Sequence, residues 1–343
     1  MLSSLILSLT KIILGVVSLS LAMLKIARRD GVWRPLPQGV GDAELWRHPL
    51  SDGTDRVKTY PFGELLAHPR HAATNVLIGD GLLKDNAILA VVGPSKSFKS
   101  FILNTVATDL IVKRNLFVAH RVVHGRHSKA FEMTKPCRVL LIEQEIGEDD
   151  LEDRLSPIYA GLAPAEQSLM RANLFTHSLD HTLQLDTVSG YNQLTEVVAS
   201  IRPDVLIMDP LIEFHTSNEN DTQGMAKVMR TFDKLRETFA PLAIIFSHHE
   251  GHAQQNPRIG IDRFRGNTVV GAKVDSALLV TVHNRRQLQL RLDFVLRRGK
   301  PLDSLYVSLD DALRAQFLCW YRDPEKKKKL ANLEEEGASL LMQ

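Results

Sequence analysis

Ala87-Ile88-Leu89-Ala90-Val91-Val92 runs directly into Gly93-Pro94-Ser95-Lys96-Ser97-Phe98-Lys99-Ser100, with Phe101 next. The apolar run is short enough for a buried strand, and Ser100–Lys113, after the polar loop, is long enough for a helix. Strand, glycine-led loop and helix is the setting in which G-x-x-x-x-G-K-[ST] acts as a phosphate loop. Consecutive backbone N–H groups at the helix start surround a β-phosphate, the Lys99 ammonium neutralises β/γ oxygens, and the Ser100 hydroxyl completes a Mg²⁺ shell. The candidate nucleotide-binding residues are therefore Gly93, Ser95, Lys96, Ser97, Phe98, Lys99, Ser100 and Phe101, and the ligands they imply are ATP and Mg²⁺. One position departs from the pattern. Phe98 stands where the second glycine is required, and glycine is used where backbone must approach phosphate closely or take unusual dihedrals. Either the ring turns away and leaves the amide path intact, or it reduces binding.

Working outward, further apolar runs occur at Arg138–Ile142, Val205–Met208, Leu242–Phe246 and Ser276–Val282. Helix-length segments Asp149–Tyr159, Tyr191–Ser200 and Gly224–Phe239 alternate with them, and a short helix with a strand-like stretch is expected over Phe62–Leu83. Buried strands alternating with helices argue for an α/β fold with a mainly parallel sheet covered on both faces. Leu288–Leu296 and Ser304–Leu309 alternate in polarity and predict an antiparallel hairpin around Arg298-Gly299-Lys300-Pro301. Val205-Leu206-Ile207-Met208 ends in Asp209, a carboxylate at the carboxyl end of a strand, where ligands bind in open α/β sheets and where Mg²⁺ is held. Arg138–Ile142 leads into Glu143-Gln144-Glu145, and one of these glutamates is placed to orient and deprotonate an attacking water.

The order of these pieces, continued by Ser217-Asn218-Glu219-Asn220-Asp221 and Phe246-Ser247-His248-His249, resembles the RecA/DnaB-like ATPases, and within them the RepA-type replicative helicases of plasmids and phages. The resemblance covers residues 60–318. It implies a RecA-like core, ATP hydrolysis coupled to movement on single-stranded DNA, and a homo-oligomeric, hexameric ring. The catalytic glutamate of that family lies just past its strand and matches Glu145. Its γ-phosphate-sensing histidine pair matches His248 and His249. Arg265-Gly266-Asn267, followed by Asp275, resembles an Arg-Gly-Ser element whose preceding loop faces the DNA channel, so Arg258, Arg263, Arg265 and Asn267 are the DNA-binding candidates, with Phe264 the one aromatic there for base stacking. Arg297-Arg298-Gly299 resembles a Lys-x-Arg-x-Gly hairpin that places an arginine finger in the neighbouring subunit's site, with Arg297 as the finger and Val295 where the family has lysine. Two other readings stay open: an ATPase of the same fold that does not translocate (a loader, recombination mediator or switch), and a nucleotide-binding scaffold without turnover.

Composition sets limits on these readings. Lys and Arg total 42 against 40 acidic residues, so any nucleic-acid-binding face must be local. Two cysteines, Cys137 and Cys319, exclude a disulfide framework and a four-cysteine zinc site, and fit a reducing, cytoplasmic compartment. His248-His249-Glu250-Gly251-His252 lacks the spacing of H-E-x-x-H, so zinc is not expected there. Residues 1–25 form an apolar segment with one charge before Lys25, Lys11. It reads as a spanning helix, as a peripheral membrane or partner-docking helix with Ser4, Ser8, Lys11 and Ser18 on one face, or as sequence upstream of a true start at Met23. The peripheral helix is favoured, because lipid would not welcome that face at mid-bilayer. Residues 26–59 read as a linker or arm, 60–318 as the ATPase domain and 319–343 as a charged tail.

Overall fold

The computed structural model describes residues 26–29, 32–35, 76–123, 126–179, 183–219, 221–250, 260–264, 268–297 and 299–321. The chain divides into two units after Pro69. In the first, β1 (Ile26–Arg29) and β2 (Val32–Pro35) pair antiparallel, with Ile26 opposite Pro35 and Arg29 opposite Val32. Asp30-Gly31 falls between them in the sequence, a dipeptide favoured in two-residue hairpin connections. Reading residues 26–59 as a linker or arm did not include this strand pair.

In the second unit the described elements run β3 (Val76–Ile78), β4 (Leu83–Lys84), β5 (Ile88–Gly93), α1 (Lys99–Val112), β6 (His120–Val123), β7 (Arg126–Lys129), β8 (Val139–Glu143), α2 (Glu148–Ala160), α3 (Pro164–Asn173), β9 (Leu174–Ser178), α4 (Val188–Ile201), β10 (Val205–Asp209), α5 (Thr222–Thr238), β11 (Ala243–His249), α6 (Thr268–Lys273), β12 (Ser276–Asn284), β13 (Gln289–Leu296), β14 (Leu305–Leu309) and β15 (Ala315–Trp320). Nine strands form one sheet in the order β15-β14-β13-β12-β5-β11-β10-β8-β9. From β9 to β12 neighbouring strands are parallel. From β12 to β15 they are antiparallel. The expected α/β class, with its parallel sheet and C-terminal hairpin, is what forms.

Alternation places the strand residues on two buried faces. Leu89, Val91, Leu141, Ile207 and Ile245 pack with Ile102, Val106 and Leu110 of α1. Ile88, Ala90, Leu140, Leu206 and Ile244 pack with Leu194 and Val198 of α4 and Phe232 of α5. Burial on both faces is why these strands read as unbroken apolar runs and not as alternating ones. β5 lies centrally between β11 and β12, so its C-terminal end, Gly93, opens the loop in the middle of the sheet's ligand-binding edge.

The antiparallel wing is tied to α1 by buried polar contacts. Asp109, fully buried on α1, accepts from Arg314 at 2.7 Å and from the Phe117 amide at 3.0 Å. Thr105 Oγ1 accepts from the Ala315 amide at 2.9 Å. β15 continues past Leu318, the expected end of the ATPase domain. The short helix expected after Phe62 falls, as far as residue 75, outside the described residues; from Val76 the segment is the β3/β4 hairpin.

The localisation expected from the apolar start needs correction. Among the described residues no helix is long and apolar enough to cross a membrane. Residues 1–25 lie outside the described residues. Membrane association through that segment therefore has no structural support and is set aside.

Candidate functional site

The loop between β5 and α1 is built by close approach and by left-handed backbone. A Cβ on Gly93 would come within 2.7 Å of Ser97 Oγ and 2.8 Å of the Val280 carbonyl oxygen of β12, so only glycine fits there. Lys96 (φ 58°) and Phe98 (φ 67°, ψ 23°) both take the left-handed conformation. For a residue with a side chain that conformation costs about 1–2 kcal/mol. Phe98 is the N-cap of α1 and supplies no side-chain cap, which leaves the first amides of the helix to a ligand. Its ring turns away from this amide path, half-buried against Phe101 at 6.1 Å between centroids and packed on the core. Of the two readings of this odd residue, the geometry favours an outward ring over an obstructed loop.

Lys99, buried at the first turn of α1, folds its Nζ back to the carbonyls of Gly93 (3.2 Å) and Pro94 (2.8 Å), with His249 Nδ1 at 3.4 Å. Burial lowers its pKa from the ordinary lysine range, against Asp209, Glu145 and Glu250, whose charges raise it. A partly dehydrated cation held by neutral carbonyls gains most from an anion entering the loop. Ser97 Oγ, also buried, has no hydrogen-bond partner. An orphaned hydroxyl, uncapped helix amides and a desolvated ammonium together fit a phosphate chain.

Beside the loop, β8 and β10 end in register, Glu143 opposite Asp209. Both carboxylates are buried. Ser247 of β11 donates its hydroxyl to Asp209 Oδ1. Glu143 Oε1 accepts the Glu145 amide at 2.8 Å, with Arg154 3.8 Å from Oε2. Burial, reinforced by the Asp209 charge, pushes Glu143 up to about 8. Glu145 is exposed, and its carboxyl is also raised, by its own partial burial and then by Asp209. Glu143 is thus held inside the strand ends while Glu145 lies past them, exposed. Asp209 and the Ser100 hydroxyl are of the chemistry that takes a hard cation beside phosphate, as oxygen ligands.

Sequence reasoning missed Gln144. It is buried between the two glutamates, and neither its side-chain oxygen nor its nitrogen finds a partner. Leaving such an amide unsatisfied costs about 1–3 kcal/mol, a reason to count it with the ligand-facing groups. The only available signal was its position at a strand end between two acids. Ser247, the hydroxyl on Asp209, was likewise not singled out.

The remaining candidates separate. His249 reaches the loop through Lys99, in register with Gly93 across the β5/β11 pair. His248 is buried, stacked on the Phe264 ring at 5.9 Å and 3.9 Å from Glu219 Oε1. Phe264 is only 5% exposed, so it belongs to the core and cannot serve as the base-stacking aromatic. Arg263 also turns inward. Its guanidinium makes a fork on Glu250 (3.0 and 2.8 Å) and donates to the Val280 carbonyl at 2.9 Å. Its placement is that of a structural cation, because three acceptors surround it and 7% of the residue is exposed. Arg258, Arg265 and Asn267 lie outside the described residues.

Arg297 is exposed just past β13 and donates to the Ala272 carbonyl, its amide bonding Asp275 O at 2.9 Å. Leu296 is opposite Ser276, which is opposite Leu89 at the start of β5. The phosphate loop is at the other end of β5, roughly 13 Å along the strand. Arg297 therefore sits on the opposite edge of the sheet from the phosphate loop.

A comparison with curated proteins finds no match. Residues 54–255 match the family described as an AAA domain, a span that holds the phosphate loop, Glu143, Glu145, Asp209 and both histidines, and stops before β12. That match covers more than half of the 343 residues, and the geometry within it is that of a nucleotide site: the chain belongs to the AAA-domain family and is a P-loop ATPase.

Proposed function

We propose that this P-loop ATPase is a RecA-like motor of the RepA helicase type, coupling ATP hydrolysis to translocation on single-stranded DNA in a ring of identical subunits, six in the favoured reading. The observation that carries it is the position of Arg297. An arginine on the sheet edge opposite its own loop can act on bound phosphate only by reaching the partner subunit's nucleotide, which makes turnover a property of the assembly.

Within one site, Glu145 orients and deprotonates the attacking water for in-line displacement at the γ-phosphoryl group. Lys99 moves from the loop carbonyls onto the β/γ oxygens, and His249, beside it, senses whether the γ-phosphate is there. Ser100 and Asp209 would hold Mg²⁺, which supplies neutralisation of phosphate charge. Arg258, Arg265 and Asn267 remain the groups proposed to meet DNA.

Glu145→Gln is expected to keep nucleotide affinity and lower turnover by about 10²-fold or more, because it removes a base and not a phosphate contact. Steady-state phosphate release together with ADP and ATP titrations measures both. If Glu143→Gln gives that pattern and Glu145→Gln does not, the base is two residues earlier. Single-stranded DNA is expected to stimulate ATP turnover of the full chain, and a forked duplex to be unwound. The inward turn of Arg263 and Phe264 favours, as a second reading, an ATPase that does not translocate. DNA-stimulated turnover without strand displacement would select that second reading, and turnover indifferent to DNA would remove the translocating one.

A further inference from the structure

Two left-handed residues carry the phosphate loop, and one of them is a phenylalanine where glycine would cost nothing. A single side chain from elsewhere in the fold touches both. Arg285, exposed in the turn between β12 and β13, lays its guanidinium over the Phe98 ring at 5.5 Å from the centroid and donates from Nη2 to the Lys96 carbonyl at 3.1 Å. The turn that presents it is itself braced. Asn284 Oδ1 accepts the amides of Arg286 (3.1 Å) and Gln287 (3.2 Å), and Asn284 Nδ2 donates to Gln287 Oε1 at 2.9 Å. The strand below it presses against the same loop, since the Val280 carbonyl limits position 93 to glycine.

We propose that Arg285 is a positioning residue for nucleotide binding: it clamps the phosphate loop through the Phe98 ring and the Lys96 carbonyl, and so holds the strained loop in the form whose amides receive phosphate. This rests on the nucleotide reading of the loop and adds a residue to it that no phosphate-loop pattern contains. Glycine at position 98 would have no ring for the guanidinium to cover, so the two positions act as a pair. An arginine suits the task because its planar fork can stack on a ring and donate in plane at the same time, whereas a lysine ammonium is a point charge.

The test is a double-mutant cycle read by ADP affinity in the full chain, with thermal unfolding of each variant as a second measurement. Arg285→Ala is expected to weaken ADP binding by about tenfold, because the unclamped loop spends most of its time in forms whose amides are not aimed at phosphate. In the Phe98→Gly background, whatever its own affinity, adding Arg285→Ala should cost clearly less than in the parent, because the ring contact is gone, glycine reaches the left-handed conformation unaided, and only the bond to the Lys96 carbonyl remains to be lost. Arg285→Lys should restore only part of the loss. Since Arg285 lies on an exposed turn, unfolding temperatures should stay within a few degrees of the parent. Undiminished affinity in Arg285→Ala overturns the proposal, and so does an equal loss in both backgrounds, which would show that the Phe98 ring takes no part. A parent chain that binds no ADP would overturn the nucleotide reading and this one with it, whereas ADP binding by the parent with no loss in the variant overturns only this one.

Discussion

Lys99→Ala is expected to lower ATP turnover by at least about 10²-fold, the size of loss seen when one donor is removed from a preorganised anion site. The ammonium is already desolvated and already at the loop, held by the carbonyls of Gly93 and Pro94. Lys96, the loop's other lysine, is not placed to replace it. Lys96 is exposed, and its backbone is turned left-handed on the outer side of the loop, under Arg285. Loss of turnover should come without loss of fold, because removing a buried cation whose hydrogen-bond partners are two carbonyls and a histidine also removes its desolvation cost. Phosphate release measured beside thermal unfolding separates the two. Turnover within a few-fold of the parent would sink the assignment of the phosphate loop.

Arg314→Ala, which removes a buried cation from the antiparallel wing, should destabilise the fold by about 3–5 kcal/mol at neutral pH. It strands the Asp109 carboxylate in α1, fully buried, with the Phe117 amide as its remaining donor. Burial pushes the Asp109 carboxyl up to about 6, against the Arg314 guanidinium, which pulls it down. Its folded pKa is above the unfolded value, so the stability it contributes is present in full below about 4 and is lost as pH climbs through about 6. The deficit of Arg314→Ala should therefore shrink at about pH 5, where the folded carboxyl carries a proton and needs no cation. Urea unfolding at about pH 5 and about pH 7.5 reads this directly. An equal deficit at both values would assign the effect to packing alone.

How much of this was legible in the residues varies with burial. Runs such as Val139–Ile142 and Val205–Met208 are apolar at every position because both faces of their strands are covered, so the central sheet could be read from the chain. Edge elements could not. β9 reads Leu-Phe-Thr-His-Ser with all five residues at least partly exposed, and its pattern is lost among polar neighbours. β15 carries Leu318 and Cys319 outward past a register shift, which blurs its alternation. Lys99, Ser100 and Asp209 lie where sequence-local geometry puts them, at a helix start or a strand end. Arg263 was misread for the opposite reason. A basic residue in a charged stretch looks solvated, and only the fold shows that Glu250 and the Val280 carbonyl converge on it. Gln144 and Arg285 carry no motif at all, one betrayed by an unsatisfied amide and the other by a ring beneath its guanidinium.

The tie between Asp109 and Arg314 also has a consequence during synthesis. The two residues are 205 positions apart, and Thr105 and Ala315 are 210 apart. At roughly 5–20 residues per second, a ribosome makes that stretch in about 10–40 s, during which α1 exists without the cation that its interior carboxylate requires. The nascent chain holds the whole phosphate loop, both glutamates and Asp209 before it can bury that helix without an unpaired acid. A product cut short before Arg314 would carry every residue of the nucleotide site and still lack the partner that closes the core around it. Premature termination late in translation should thus yield chains whose α1 cannot be buried with its acid paired.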